Sequence, residues 1–232
     1  QHCSRQAGLA RAWATGALRQ SACSKLSSHT PQKVHFSHSP RPGMASGNKR
    51  LATSMATAAS TMPVTVVTAM ARNGKEFAIQ VSGLDGQWFT APAPEVDGLY
   101  LPGYGEGDAG LDMGDSAITE TVGWGGFILA GAPSILNLVG GTPEEALSYS
   151  REMREITVGL SPDYLIPALG FQGTAVGIDI RKVVQTGILP IIDTAMAHKD
   201  PGHPIIGAGL VRAPMECFHQ ALRSFAARYA AE

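Results

Sequence analysis

The feature that most limits the fold of this chain is the segregation of its charged residues. Residues 1–62 contain no Asp or Glu but eight Lys or Arg, which leaves ten basic residues against all 19 acidic residues in the rest of the 232-residue chain. The first segment has few large apolar side chains, so it cannot bury enough surface to offset the entropy of ordering. We therefore predict a disordered basic leader over residues 1–62 and one α/β domain over residues 63–232.

The leader has two interpretations at this stage. Its basic, Ser-rich and acid-poor composition is typical of a transit peptide, whereas a non-functional disordered segment would have the same composition. We expect a cytoplasmic protein, or a mitochondrial one if the leader is a genuine transit peptide.

Charge and cysteine content argue against several classes of function. The net charge of −1 gives no electrostatic reason to expect binding to nucleic acid or to an anionic membrane. The three cysteines, Cys3, Cys23 and Cys217, form no CxxC pair, so neither a zinc site nor a disulfide framework is expected. The long apolar stretch "GFILAGAPSILNLVGG" is interrupted by Pro and Asn and is better explained by a buried helix than by a membrane span. We expect no cofactor and no metal.

The first half of the domain contains a predicted hairpin and two predicted helices. Apolar runs at 64–71 and 76–82 flank Asn73-Gly74, which predicts two strands joined by a type I′ turn. The Pro- and Gly-rich residues 90–114 predict a long ordered loop, and residues 116–138 predict a helix. A second helix should begin at the N-cap Thr142, with Pro143 at its first position and Glu145 completing a capping box, and end at Gly159.

The second half alternates strands and helices. "GTAVGI" predicts a strand, "DIRKVVQTG" a short helix ending at Gly187, and "ILPIIDTAMA" an apolar strand that enters the loop "HKDPGHPIIGAGLVR". A final helix is predicted from about Pro214 to Ala230. Together with the hairpin, this alternation predicts an α/β fold whose mixed sheet is flanked by helices.

Several cationic residues at predicted strand ends and helix starts suggest an anion-binding site. Ligands of open α/β sheets lie at the carboxyl ends of strands, and guanidinium groups suit anions. The candidate substrate-binding residues from these junctions are Arg72, Asn73, Arg181 and Arg212. For each arginine, a structural salt bridge is the alternative.

The stretch "GDSAITETVGWGGF" supplies the other candidates. Asp115 and Ser116 can cap a helix, which is the structural interpretation, or they can line a site together with Thr119 and Glu120. We predict that these four residues face the same cleft as His198 and Lys199, with Glu120, His198 and Lys199 as catalytic groups. His198 could equally be a satisfied loop histidine, and we interpret Cys217 as a packed thiol.

Long unusual strings in the chain resemble a known family. They include "VVTAMARNGKEFAIQVSGL", "DMGDSAITETVGWGGF", "TPEEALSYSREMREITVG", "IPALGFQGTAVGIDIRKVVQTGILPIIDTAMAHKDPG" and "GAGLVRAPMECF". These strings resemble the AllG/YlbE-type family, long catalogued only as a domain of unknown function. The likeness runs from about Val64 to about Leu222, and we expect residues 1–62 to lie outside it. The chain resembles the C-terminal part of a larger α/β protein of this family.

This resemblance implies a subunit of an oxamate carbamoyltransferase, in which FdrA-like and AllH-like proteins are partners. FdrA-like proteins resemble subunits of succinyl-CoA synthetase. The implied reaction moves a carbamoyl group between oxalurate and phosphate during the breakdown of allantoin, a source of purine nitrogen, and its products are oxamate and carbamoyl phosphate. The substrates would therefore be small anions. The alternative is a non-catalytic assembly module that contacts the FdrA-like subunit.

Overall fold

The computed structural model describes residues 64–84 and 86–229. Within these residues it contains nine strands, four α-helices and five short 3₁₀ helices. The predicted leader lies outside the described residues, as do Pro63 and Ala230. None of the described helices combines the length and the apolar character needed to cross a membrane.

The strands form three separate sheets, with orders β3-β2-β1-β5, β4-β9-β8 and β6-β7. The strand bounds are β1 Val67–Asn73, β2 Glu76–Val81, β3 Phe89–Pro92, β4 Asp97–Tyr100, β5 Met113–Gly114, β6 Thr157–Ile166, β7 Gln172–Ile178, β8 Ile191–Ala197 and β9 Ile205–Arg212. The predicted combination of helices and strands is confirmed. Every pairing among the described strands is antiparallel, however, so the expected mixed sheet is corrected to three antiparallel sheets.

All four described α-helices lie after residue 132, whereas four of the five 3₁₀ helices precede them. The α-helices are α1 Pro133–Val139, α2 Pro143–Glu155, α3 Ile180–Thr186 and α4 Met215–Tyr229. The 3₁₀ helices are Glu106–Asp108, Ser116–Val122, Gly125–Phe127, Leu129–Gly131 and Pro167–Leu169. The expected single helix over 116–138 is thus three 3₁₀ turns followed by α1. Gly123 and Gly125 explain the breaks, because both have positive φ and a right-handed helix cannot continue through them.

The hairpin of β1 and β2 is confirmed, but its turn is not type I′. Arg72 pairs with Phe77, and Gly74 has φ +79° whereas Asn73 is not among the residues with positive φ. A type I′ turn needs positive φ at both central positions. Instead, the Asn73 side-chain oxygen accepts hydrogen bonds from the backbone N–H groups of Lys75 and Glu76 at 2.9 and 2.7 Å. This side-chain contact closes the turn in place of a left-handed Asn.

Two predicted loops contain strands. Residues 90–114 include part of β3 and all of β4 and β5, and the region after Ala197 contains β9. β4 pairs with β9, so that Asp97 lies opposite Leu210. This pairing joins segments far apart in the chain, and no local turn signal announces it.

Helix α2 begins as predicted. The Thr142 hydroxyl accepts a hydrogen bond from the Glu145 N–H at 3.2 Å, and the Glu145 carboxylate accepts one from the Thr142 N–H at 2.8 Å. The helix ends at Glu155 rather than at Gly159. It ends early because Thr157 already pairs with Ile178 in the β6-β7 sheet.

The main core lies between the β1-β2-β3 face and helices α3 and α4. Its largest fully buried side chains include Phe77, Phe127 and Phe218. Burial of each such ring contributes roughly 1.5–3 kcal/mol to the free energy of unfolding. Cys217 belongs to this core, and burial raises the pKa of its thiol to about 12, which agrees with a packed rather than a reactive cysteine.

Candidate functional site

A buried ion pair links three separate parts of the chain. The Arg72 Nε donates a hydrogen bond to Asp112 at 2.9 Å, and both side chains are 0% exposed. The Arg72 Nη2 donates to the Thr194 hydroxyl at 2.7 Å, and that hydroxyl donates to the second Asp112 oxygen at 3.2 Å. Strands β1 and β8 and the residue before β5 therefore meet at one charged centre. Because Asp112 neutralises Arg72, the guanidinium organises this centre rather than offering a free positive charge.

Ser116 connects this centre to the molecular surface. Its hydroxyl accepts a hydrogen bond from Arg72 Nη1 at 3.3 Å, and the residue is exposed. Asp115 is also exposed and precedes the 3₁₀ helix without a capping hydrogen bond from its side chain, so its predicted capping role is wrong. The Thr119 hydroxyl lies 2.8 Å from the Ser116 carbonyl oxygen and 3.1 Å from a Glu120 carboxylate oxygen. Arg72, Ser116, Thr119 and Glu120 thus form one connected chain of contacts.

Glu120 is fully buried and holds strand β8 against the segment 116–127. Its Oε1 accepts hydrogen bonds from the backbone N–H groups of Asp193 at 3.1 Å and Gly126 at 3.3 Å. Burial raises the pKa of Glu120 to about 7, although these backbone hydrogen bonds act in the opposite direction. A carboxyl group with this pKa can exist in either protonation state near neutral pH.

The glycines after Glu120 provide room for its carboxylate. A Cβ on Gly125 would lie 2.0 Å from Glu120 Oε1, and this glycine has φ +58°. A Cβ on Gly126 would lie 2.3 Å from the Ile191 carbonyl oxygen of β8. The "GWGGF" cluster therefore allows close backbone packing around a buried carboxylate.

Asp193 is a candidate that the sequence reasoning missed. It lies on β8, is half-buried, and has no side-chain hydrogen bond from residues 64–84 or 86–229. Burial raises the pKa of Asp193 to about 6, and the nearby positive charge of Arg72 opposes that rise. The available signal was an acidic residue inside the apolar run "ILPIIDTAMA", where an unpaired carboxylate carries a desolvation cost.

The two carboxyl groups can serve in proton transfer. An effective general acid or base has a pKa near the working pH, and the pKa values of Glu120 and Asp193 are raised towards neutrality. Glu120 is enclosed, whereas Asp193 keeps part of its surface accessible. Asp193 is therefore the carboxyl group that a ligand can reach more directly.

His198 and Lys199 follow the other end of β8. The His198 Nδ1 accepts a hydrogen bond from the Asp200 N–H at 3.0 Å, which leaves the proton of a neutral ring on Nε2, and the ring stacks on His203 at 3.9 Å. Lys199 is anchored to the loop that contains Gly107: its Nζ donates to the carbonyl oxygen of Gly107 at 2.5 Å. His198 lies five residues after Asp193, about 16 Å along an extended strand. That His198 and Lys199 share a cleft with the 115–120 group stays a prediction.

The remaining candidate cations have carboxylate partners. Arg181 donates to both oxygens of Asp179, at 3.2 and 2.8 Å. Burial acts to raise the pKa of Asp179, but hydrogen bonds from Arg181 and Thr65 outweigh it and leave this pKa below its ordinary value. Asp179 also caps helix α3, so the Arg181 pair has a structural role at that helix start.

Arg212 is the last residue of strand β9 and lies just before helix α4, as expected. Its guanidinium donates to both oxygens of Glu152 on α2, at 2.9 and 3.0 Å. Glu216, four residues after Arg212, is instead bonded to Arg223 at 2.7 Å. Strand β9 was not predicted from the sequence, and it is this strand that places Arg212 beside α2.

Metal-binding residues do not converge in this part of the molecule. Across residues 64–84 and 86–229, no three His, Cys, Asp or Glu side chains are grouped so that they could hold a metal ion.

A model of the family "Oxamate carbamoyltransferase subunit AllG" matches residues 7–116. The oxamate carbamoyltransferase subunit AllG of Escherichia coli K12 is 51% identical over 162 residues, which cover 69% of this chain and 39% of AllG. The chain therefore resembles the AllG family. The family match begins at residue 7, so it extends into residues 1–62, contrary to our expectation that the likeness starts at about Val64.

Two further proteins are similar to this chain. YahG of Escherichia coli K12, an uncharacterized protein, is 58% identical over 165 residues, covering 71% of this chain and 35% of YahG. A conserved protein of unknown function from Enterococcus faecalis V583, known from its crystal structure, has a TM-score of 0.69 and 57% identity, covering 70% of this chain and 39% of that one. The chain thus spans little more than a third of the length of the curated relatives it matches.

Proposed function

We propose that this chain is part of a subunit of an oxamate carbamoyltransferase-type enzyme. The observation that carries the proposal is the 51% identity to AllG over 162 residues. The proposed complex contains FdrA-like and AllH-like protein partners. It transfers a carbamoyl group between oxalurate and phosphate, with oxamate and carbamoyl phosphate as products, in the breakdown of allantoin.

The reaction requires proton transfer at nitrogen. In the direction of carbamoyl phosphate formation, a phosphate oxygen attacks the carbamoyl carbon of oxalurate and the bond from that carbon to the oxamate nitrogen breaks. The departing nitrogen takes up a proton and becomes the amide of oxamate. A carboxyl group with a pKa of about 6 or 7 is suited to supply this proton, and Asp193 and Glu120 both meet this requirement. We propose Asp193 as the proton donor because it is the more accessible of the two.

We assign Arg72 a positioning role. Its charge is neutralised by Asp112, and its hydrogen bonds orient Ser116 and Thr194. Residues 63–232 contain ten basic residues against 19 acidic ones, so this region has a strong negative balance. We therefore propose that the partner subunits supply the cationic groups that bind phosphate.

Reconstitution tests the proposed activity. The chain is combined with the FdrA-like and AllH-like proteins, and carbamoyl phosphate is measured after addition of oxalurate and phosphate. Formation should depend on this chain, and Asp193→Asn should lower kcat by about 10²-fold or more, as expected for the loss of a general acid. Asp97→Asn on the exposed strand β4 is the matched control and should leave kcat unchanged. Equal turnover without this chain would contradict the proposal.

A second candidate function is a non-catalytic assembly module. The observation in its favour is the exposed apolar surface of the β6-β7 sheet and the turn between its strands. Its large exposed side chains are Val158, Leu160, Leu165 and Phe171. Phe171 is 67% exposed and has φ +58°, a conformation that bulky residues rarely adopt. If Leu160→Asp and Phe171→Asp abolish co-purification with the partners while Asp193→Asn leaves kcat unchanged, the assembly function is the correct one.

A further inference from the structure

We infer that the Asp193 carboxylate recognises the N–H groups of a small ligand that contains an amide or carbamoyl group. This inference rests on the proposed function, because it assigns one specificity-determining residue of that same site. The inference concerns ligand binding and rests on geometry. The half-buried Asp193 carboxylate accepts no hydrogen bond from the described residues, whereas the neighbouring Arg72 and Glu120 side chains are already hydrogen-bonded.

The polar groups next to Asp193 already form hydrogen bonds with other protein groups. All three nitrogens of the Arg72 guanidinium donate hydrogen bonds, to Asp112, Ser116 and Thr194. Both oxygens of Glu120 accept hydrogen bonds. Buried or half-buried polar atoms normally have partners. Among the buried and half-buried groups of the described residues around Arg72 and Glu120, the Asp193 carboxylate is therefore an acceptor that remains open to a ligand.

The Asp193 side chain is accessible to a ligand, while its backbone is held in place. It lies opposite Leu210 on β9, and Leu210 lies opposite Asp97 on β4, so the two aspartates belong to one row across the sheet. Asp97 is exposed, whereas Asp193 is half-buried and its backbone N–H is bound by Glu120. This contact fixes the strand at the residue that carries the open carboxylate, which favours a precise contact to a ligand.

Carboxylates accept hydrogen bonds and donate none when ionised, so Asp193 should distinguish amides from carboxylates. Oxamate and oxalate have similar size and both carry a carboxylate, but oxamate has an amide NH₂ where oxalate has a second carboxylate. The Asp193 carboxylate can accept from the amide, whereas it repels the second carboxylate of oxalate. The chain should therefore bind oxamate more tightly than oxalate.

Calorimetric titration of the full 232-residue chain with oxamate and with oxalate at pH 7.5 tests the inference. Wild type should prefer oxamate, and Asp193→Asn should reduce that preference by roughly 10- to 100-fold, as expected for the loss of a charged hydrogen bond. The matched control is Asp97→Asn, in the same row of the sheet, which should keep the wild-type preference. If Asp193→Asn does not give the circular dichroism spectrum of wild type, Asp193→Ser replaces it.

Two results would overturn the inference. One is an unchanged ratio of oxamate to oxalate affinity in the folded Asp193 variant, and the other is wild-type protein without any preference for oxamate. Neither result decides the proposed function, which is read from carbamoyl phosphate formation by the reconstituted complex. If the complex is active but Asp193→Asn keeps the preference for oxamate over oxalate, only the recognition role of Asp193 is disproved. If the reconstituted complex forms no carbamoyl phosphate, the proposed function itself is disproved.

Discussion

The Glu120 carboxylate accepts a hydrogen bond from the backbone N–H of Asp193 at 3.1 Å, although 73 residues separate them in the chain. Strand β8 is an edge strand of its sheet, and edge strands have unpaired backbone groups. Glu120 satisfies one of these groups from outside the sheet. The same contact brings together two carboxyl-bearing residues whose pKa values burial raises.

Glu120→Gln should flatten the dependence of the unfolding free energy on pH. Burial raises the pKa of Glu120 from 4.5 to about 7, so the folded state retains a proton that the unfolded state releases. This contribution is complete below about pH 4.5 and is lost as pH rises through 7, so wild type should lose up to about 3 kcal/mol between pH 5 and pH 8. Denaturant titrations at several pH values measure this loss.

In the Gln variant, a smaller dependence should remain near pH 6, because burial also raises the pKa of Asp193. Glu76→Gln, at the exposed start of β2, is the control and should retain the wild-type slope. A Glu120→Gln variant with the full wild-type slope would show that another group causes the pH dependence.

Gly125→Ala should destabilise the fold by about 2 kcal/mol or more. Gly125 has φ +58°, which costs an alanine roughly 1–2 kcal/mol, and the added Cβ would lie 2.0 Å from Glu120 Oε1. Thermal unfolding measures the effect. Gly105→Ala is the control, because Gly105 has extended φ and an added Cβ there meets no atom within 4 Å. Equal melting temperatures for the two variants would contradict the close approach at Glu120.

Asp112→Asn should lower the free energy of unfolding by about 3–5 kcal/mol. The substitution leaves the Arg72 guanidinium buried without a counter-charge, and both side chains are 0% exposed. Urea unfolding measures the change, and Asp97→Asn on the exposed strand β4 should change the unfolding free energy by less than about 0.5 kcal/mol. A loss for Asp112→Asn as small as that of the control would mean that the ion pair contributes little to folding.

Arg212→Lys should reduce stability slightly and leave ligand affinity unchanged. The guanidinium makes a bidentate contact with Glu152, which Lys cannot reproduce, but the side chains are 42% and 27% exposed. Partly exposed pairs of this kind contribute about 0.2–1 kcal/mol. A double-mutant cycle with Glu152→Gln measures the coupling. A clear loss of affinity for phosphate, oxamate or carbamoyl phosphate would instead restore Arg212 to the binding site.

Part of the fold could be predicted because its signals are local. The capping box of Thr142 and Glu145 forms over three residues, and the Gly187 end of α3 needs only a left-handed glycine. The hairpin at Asn73-Gly74 was predicted correctly, although its turn geometry was not. For the candidate site, the structure connects Arg72, Ser116, Thr119 and Glu120 through hydrogen bonds, and their roles in binding or catalysis stay predictions.

The amino-acid sequence by itself determined the resemblance to AllG, the charge segregation and those elements whose hydrogen bonds close within a few residues. Only the tertiary structure decided that Arg72 is neutralised by Asp112 and that Arg212 pairs with Glu152. It also decided that the half-buried Asp193 carboxylate accepts no hydrogen bond from residues 64–84 or 86–229. These features depend on which distant segments pair and on how much water each side chain loses. Such pairings follow from burial across the whole domain, and a local pattern of residues does not contain that information.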